Sequence, residues 1–199
     1  EVLDAVAYIQ SVSDEYKSKE MLALLQCTSM YPIPVQDANL LVMQRLKELT
    51  GLSIGYSDHT EGSKALYYAT AMGAEILEFH FTDTREGKVF RDHKVSLIPF
   101  EIKELINEIK LIKSLRGNKV KAPTASEIEN GHIASFRRGV YPSRDIKSGE
   151  IFTEENITVL RPNHGIDARN FENILGKYSS TDLKQHQKLN KSYLLNGKL

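Results

Sequence analysis

The feature that most constrains the fold is an alternation of amphipathic helical segments and short apolar runs over the first 116 residues. Helical spacing is seen in "EVLDAVAYIQSVSD", "LLVMQRLKEL", "GSKALYYATAMG" and "FEIKELINEIKLIKSL". Between these segments lie three runs typical of buried strands, "MLALLQCTS", "LSIGYSDHT" and "AEILEFHFTDT". Such alternation predicts right-handed βαβ units and a parallel sheet. Each strand ends in polar residues, at the end where α/β barrels and open sheets place their sites.

The third of these strands places a carboxylate and an imidazole among large apolar residues. Because successive strand side chains point to opposite faces, alternate residues share a face. One face is apolar and the other becomes polar toward the carboxyl end, and the polar face carries Ile76, Glu78, His80 and Thr82. A carboxylate in a buried strand is costly without a partner, so Glu78 indicates either a site or a salt bridge inside a barrel.

The second strand adds another histidine on a matching face. Alternation puts Ser57 and His59 on one side of "SIGYSDH". If the two strands are neighbours, about 4.8 Å apart, His59 and His80 both point inward at the mouth of the sheet. Two imidazoles there can bind a divalent metal and leave positions for water and substrate oxygens. The alternative is a pair of hydrogen-bonded rim residues.

The pattern changes after residue 116. Residues 117–133 lack a sustained period and contain Gly, Pro and Ser, which indicates a linker between a first domain at 1–116 and a second at 134–199. The second part has short strand-like runs, a tight turn at "KSGE" and a short helical segment before Gly176. We therefore predict a small, separate α+β domain.

Composition excludes several classes of protein. The formal net charge is +0, which argues against a nucleic-acid-binding protein. No apolar run approaches the roughly 20 residues of a membrane span. Cys27 is the single cysteine, which fits a reducing, cytoplasmic location. The chain begins at Glu1 rather than Met, so we expect it to start partway through a longer protein.

Five motifs appear together in the order and spacing of one family: "LLQCTSMYPIP", "GYSDHTEG", "AMGAEILEFHFT", "RDHKVSL" and "LRPNHGID". In these the chain resembles the sialic acid (nonulosonic acid) synthase family. The resemblance implies condensation of phosphoenolpyruvate with N-acetylmannosamine or a related N-acetylated amino sugar, giving a nonulosonic acid and phosphate. It also implies a TIM (β/α)8 barrel followed by a small antifreeze-like (SAF) domain. The expected assembly is a homodimer in which the small domain caps the other subunit's barrel.

The resemblance implies a role for individual residues. His59 and His80 become ligands of Mn2+ or Mg2+, and we assign catalytic roles to His80 and Glu78. Ser29 and Ser57 would bind phosphoenolpyruvate. The sugar would contact Tyr31, Asp92 and Arg161. Each of these three has a structural alternative: Tyr31 packing beside Pro32, Asp92 capping a loop, and Arg161 as a solvated surface charge.

The resemblance covers only the end of a barrel. Three of eight strands are present, so the chain corresponds to the C-terminal part of such an enzyme, and the sequence leaves its activity in isolation open. Val89-Phe90-Arg91 stand where many members have Pro-Gly-Pro, and Phe79 replaces a basic residue. These departures leave the neuraminic, legionaminic and pseudaminic branches undecided. Two other hypotheses remain: a non-catalytic carbohydrate-binding remnant, and a metal-dependent barrel aldolase with another acceptor.

Overall fold

A computed structural model describes residues 1–196 and divides the chain between Lys119 and Val120. The helices of the first unit are α1 (Val2–Val12), α2 (Leu41–Thr50), α3 (Lys64–Ala71), α4 (Asp92–Val95) and α5 (Pro99–Arg116). Its strands are β1 (Ala23–Gln26), β2 (Ser53–Asp58) and β3 (Ile76–Phe79). They form one parallel sheet in the order β1-β2-β3, which confirms the predicted α/β architecture of a partial barrel.

The hydrophobic core of the first unit lies on the helical side of this sheet. Alternate residues of β2 pack there, and Ile54 and Tyr56 are buried together with Leu66 of α3 and Leu105 of α5. Complete burial of a side chain of this size contributes about 1.5–3 kcal/mol. The sheet is thus held to its helices by the apolar alternation that the sequence displays.

The opposite face of the sheet is open along β3. Ile76 is 40% exposed there, and Glu78 on the same face is also exposed. The expectation that Glu78 is buried is therefore wrong for this chain, because no element of the first unit covers that side of β3. Gly55 lies on this face opposite Ile76 of β3, where an added Cβ would come within 2.5 Å of the Ile76 carbonyl oxygen.

The third strand is shorter than predicted, but the sheet continues beyond it. β3 ends at Phe79, and one further parallel bridge joins Phe81 to Leu97. The Leu97 amide donates to the His80 carbonyl at 2.8 Å, and the Thr82 amide donates to the Leu97 carbonyl at 2.9 Å. Leu97 therefore pairs with the chain beyond β3, at a position that sequence analysis had not identified as part of the sheet.

The last helix of the first unit has clear start and stop signals. Pro99 occupies its first position, and the Glu101 carboxylate accepts a hydrogen bond from the Ile98 amide at 2.9 Å. The helix ends at Gly117, whose φ is +53°. Within residues 1–196, no helix is long and apolar enough to cross a membrane.

The second unit is a small antiparallel domain with its own core. Its helices are α6 (Ala125–Glu129) and α7 (His132–Ser135), and its strands are β4 (Gly139–Pro142), β5 (Ile157–Leu160), β6 (Tyr178–Ser179) and β7 (Leu194–Leu195). β4 pairs with β5 and β6 with β7, both antiparallel. Val140, Ile146, Phe152 and Leu189 are each at most 1% exposed. This confirms the small α+β domain.

The stretch predicted as a linker, 117–133, contains one short helix and the start of another. α6 begins at a capping box, in which the Glu127 amide donates to the Thr124 hydroxyl at 3.2 Å and the Thr124 amide donates to the Glu127 carboxylate at 2.6 Å. α7 follows Gly131, whose φ is +68°. The segment between the sheet of the first unit and β4 is therefore partly helical.

Candidate active site

The carboxyl ends of the three parallel strands bring the two predicted histidines together. The register pairs Ser57 of β2 with Glu78 of β3, and each histidine follows two residues later. His59 is buried at 4% exposure, and His80 is half-buried. Their ring centroids lie 5.3 Å apart. The strand parity that grouped them in the sequence thus corresponds to a short distance in the fold.

Tyr31, in the loop after β1, completes a cluster of three rings. Its ring centroid lies 3.9 Å from that of His59 and 5.4 Å from that of His80. The first contact is tilted by 35° and the second is edge-on at 83°. The alternative, that Tyr31 merely packs beside Pro32, does not account for these contacts, because the ring reaches both imidazoles.

The orientation of His59 is defined by a backbone carbonyl. Its Nδ1 lies 2.8 Å from the Thr28 carbonyl oxygen, which can only accept a hydrogen bond, so Nδ1 carries the proton in the neutral ring. The lone pair of the neutral ring then lies on Nε2. Histidines that ligate metals usually donate their other N–H to a carbonyl or a carboxylate in this way.

A second contact network joins His80 to the start of α4. The Asp92 Oδ2 lies 4.0 Å from His80 Nδ1, and Asp92 Oδ1 lies 3.3 Å from Arg91 Nε. Oδ1 is buried and makes no hydrogen bond among the described residues. The Arg91 guanidinium carbon is 4.8 Å from the centre of the Tyr31 ring. Tyr31, His80, Arg91 and Asp92 therefore form one continuous group.

The two serines proposed to bind phosphoenolpyruvate differ in their surroundings. Ser57 is buried at 8% exposure, and its hydroxyl donates a hydrogen bond to the Glu78 carboxylate. Ser29 is exposed in the loop between β1 and Tyr31. Ser57, Glu78 and the two histidines share the open face of the sheet, and Ser29 lies on its carboxyl-end loop.

The described residues supply only part of a metal coordination sphere. Across residues 1–196, no group of three or more His, Cys, Asp and Glu side chains is arranged to hold an ion. Two imidazoles with one oriented Nε2 fit a cation that completes its sphere with water, substrate oxygens or other ligands. The donor set of the site is therefore compatible with a divalent ion without defining it alone.

Asp58 is a site-supporting residue that sequence reasoning did not single out. It is buried, and it accepts hydrogen bonds from the Thr60 amide at 2.8 Å, the Thr60 hydroxyl at 3.1 Å and the Tyr56 hydroxyl at 3.1 Å. Burial raises the pKa of this carboxyl above its usual value. These hydrogen bonds stabilise the turn that carries His59. In the sequence, an Asp two residues before a Thr was the signal that could have indicated this turn.

Arg161 lies apart from these residues in the chain. It directly follows β5 in the second unit and is exposed. Seven of the eight predicted site residues thus belong to the first unit, and Arg161 alone belongs to the second.

Comparison with family models matches both units. Residues 1–121 match the model of the NeuB family, and residues 137–192 match the model of the SAF domain. The family resemblance drawn from the sequence motifs is thereby confirmed.

Two of the matching relatives are named as acid synthases. The chain is 40% identical over 169 residues to an N,N'-diacetyllegionaminic acid synthase of Campylobacter jejuni, covering 85% of this chain and 50% of that protein. It is 35% identical over 163 residues to a pseudaminic acid synthase of the same species, covering 82% of this chain and 46% of that protein. The chain therefore spans about half the length of the curated relatives it matches.

A solved structure also matches this chain. The N-acetylneuraminic acid (sialic acid) synthetase of Leptospira borgpetersenii, in complex with citrate, matches with a TM-score of 0.55 and 38% identity. The match covers 61% of this chain and 42% of that one.

Proposed function

The chain belongs to the NeuB family, and we propose that the protein of which it forms part condenses phosphoenolpyruvate with an N-acetylated amino sugar, giving a nonulosonic acid and phosphate. The observation that carries the proposal is the cluster of Tyr31, His59 and His80 at the carboxyl ends of parallel strands. In barrels of this kind that end of the sheet is where catalytic groups lie.

His59 and His80 are the residues we propose to hold a divalent cation, Mn2+ or Mg2+. The Thr28 carbonyl holds His59 in the tautomer that leaves Nε2 free, and Tyr31 limits the tilt of the ring by contact. When bound, such a cation acts as a Lewis acid toward the aldehyde oxygen of the open-chain sugar.

The reaction needs protein groups that act on each of the two substrates joined by the new C–C bond. The methylene carbon of phosphoenolpyruvate forms a C–C bond to the aldehyde carbon of the sugar, and the aldehyde oxygen takes up a proton to become a hydroxyl. Water then adds to the cationic carbon that results and loses a proton. The new hydroxyl becomes the keto group as the C–O bond to phosphate breaks, and the hydroxyl proton leaves with the phosphate. Donors that hold these charges are most effective when they are fixed and shielded from water.

We assign the remaining polar groups of the open face to the two substrates. Ser29 would donate a hydrogen bond to phosphoenolpyruvate, and Ser57 would do so once its single hydroxyl proton turns away from Glu78. Asp92 would accept hydrogen bonds from sugar hydroxyls beside Tyr31. Glu78 faces the same side as His80 and accepts a hydrogen bond from the Ser57 hydroxyl, which supports our assignment of Glu78 as a proton acceptor. Phosphate-binding cations are expected on elements outside this chain.

The second unit has a proposed role at the sugar end. We place Arg161 against the acyl group of the sugar bound to a partner subunit, in a homodimer whose small domains cap the barrels. This assignment follows the family resemblance, and a cytoplasmic location accords with the single cysteine.

The test is an activity assay on the complete open reading frame that contains this chain. Phosphate release from phosphoenolpyruvate should require both an amino sugar, tested as N-acetylmannosamine and diacetamido hexoses, and Mn2+ or Mg2+. Turnover with a sugar but without phosphoenolpyruvate would support the aldolase alternative. Sugar binding without turnover under any condition would support the carbohydrate-binding alternative. Either result would overturn the proposal.

A further inference from the structure

One residue of the cluster has no role in the function proposed above. Arg91 stands at the departure Val89-Phe90-Arg91 and precedes α4. The two residues before it point away from the fold, since Val89 is 96% exposed and Phe90 is 60% exposed. The Arg91 side chain, in contrast, lies against the site.

Arg91 makes two contacts that only a planar guanidinium can combine. Its guanidinium carbon is 4.8 Å from the centre of the Tyr31 ring, and its Nε is 3.3 Å from Asp92 Oδ1. A guanidinium can stack on an aromatic face and pair with a carboxylate at its edge, whereas an ammonium group is a compact point charge. Arg91 therefore links the two side chains that we assign to the sugar.

The Asp92 carboxylate depends on this link. Its Oδ1 is buried and makes no hydrogen bond within residues 1–196, and the Arg91 Nε is the cationic atom beside it. Its other oxygen faces His80 Nδ1 at 4.0 Å. Without Arg91, a buried carboxylate oxygen would lose its nearest positive charge, and the side chain would be expected to turn toward solvent.

We propose that Arg91 is a positioning residue for the binding of the acceptor sugar. It holds the Asp92 carboxylate and the Tyr31 ring in one arrangement, so that a polyhydroxylated sugar meets a fixed acceptor and a fixed aromatic wall. Phosphoenolpyruvate is assigned to Ser29 and Ser57 rather than to Tyr31 or Asp92, so its binding should be independent of Arg91. The inference rests on the proposed function.

The experiment compares Arg91→Met and Arg91→Lys with the wild type in the complete protein, using whichever amino sugar supports turnover. Arg91→Met should raise the KM for the sugar about tenfold, as expected for the loss of one stacking contact and one ion pair. Arg91→Lys keeps the charge and loses the planar stack, so it should raise this KM by a smaller factor, about threefold. The KM for phosphoenolpyruvate should stay within about twofold of the wild type in both variants.

Lys94→Met is the matched control, because Lys94 is an exposed cation three residues after Arg91, within α4. It should leave both Michaelis constants unchanged. A double-mutant cycle of Arg91→Met with Tyr31→Leu should be non-additive, since the first residue acts partly through the second.

The outcomes separate the inference from the function on which it rests. An inactive wild type would reject the proposed function and the role of Arg91 with it. An active wild type with an unchanged sugar KM in Arg91→Met, or with equal increases for both substrates, would overturn the role of Arg91 alone. If Arg91→Met fails to fold, Arg91→Lys decides: a sugar KM equal to that of the wild type overturns the inference.

Discussion

The two units of this chain solve the problem of burying apolar surface in different ways. In the first, helices cover one face of a parallel sheet, and the other face, with Ile76 and Glu78, is open. In the second, short antiparallel strands and loops enclose Val140, Ile146 and Phe152 almost completely. The unit that carries the cluster of histidines is thus the one whose fold is less complete within this chain. A site inside a barrel depends on strands that are distant in sequence, whereas a small domain can be closed by local pairing.

We expect the largest difference between the two units when each is produced as a separate fragment. A fragment of residues 120–199 is expected to unfold in one cooperative transition, because its core is enclosed. A fragment of residues 1–119 is expected to aggregate, since an open sheet face and unpaired strand edges favour association. Thermal unfolding followed by circular dichroism, with light scattering, distinguishes the two. A monomeric, cooperative 1–119 fragment would show that the first unit is self-sufficient.

His80→Ala tests whether the first unit carries the chemistry. In the complete protein the metal-dependent turnover number should fall by about 10³ or more, as for the loss of a group acting on the transition state. The thermal midpoint should change little, because His80 is half-buried rather than part of the core. Arg45→Ala, at an exposed position on α2, is the control. Retention of wild-type turnover would show that His80 is not a ligand of the proposed metal site.

Arg161→Ala tests the smaller contribution expected from the second unit. The KM for the sugar should rise about tenfold, equivalent to about 1.4 kcal/mol, with less change for phosphoenolpyruvate. Steady-state kinetics with each substrate varied in turn measures both constants. Equal changes in both would argue against a position at the sugar end.

The smallest effect that we expect is a change in the thermal stability of the second unit at low pH. The Arg169 guanidinium beside Asp167 lowers the pKa of that carboxyl to about 2. A lowered pKa contributes stability that is present above the unfolded value of about 3.9 and is lost as the pH falls through the folded value. Between pH 5 and pH 2, the thermal midpoint of Asp167→Asn in the 120–199 fragment should therefore fall by about 2–4 °C less than that of the wild-type fragment.

Glu154→Gln, at an exposed position of the same unit, controls for the removal of a negative charge. An equal loss of thermal midpoint in Asp167→Asn and the wild type would show that this ion pair does not contribute to the folded state.

Some of the site was predictable because strand geometry is periodic. A period of two places Ser57 with His59, and Glu78 with His80, on matching faces in any register of neighbouring parallel strands that keeps the core apolar. The Leu97 pairing was not predictable in this way, because a single bridge has no run of residues to carry a period. α6 had a signal, the spacing of Thr124 and Glu127, but five residues are too few for helical periodicity to show.

The sequence by itself determined the parallel α/β region, the separate small domain and the family, because apolar periodicity and motif spacing are local properties of the chain. The tertiary structure alone decided that Tyr31 lies against His59, that Arg91 bridges Tyr31 and Asp92, and that Glu78 is exposed. These outcomes depend on how loops from different strands fold over one another and on which face is covered. The contacts of Tyr31 with His59 and with Arg91 join residues that are distant in sequence, and no spacing within one segment encodes them.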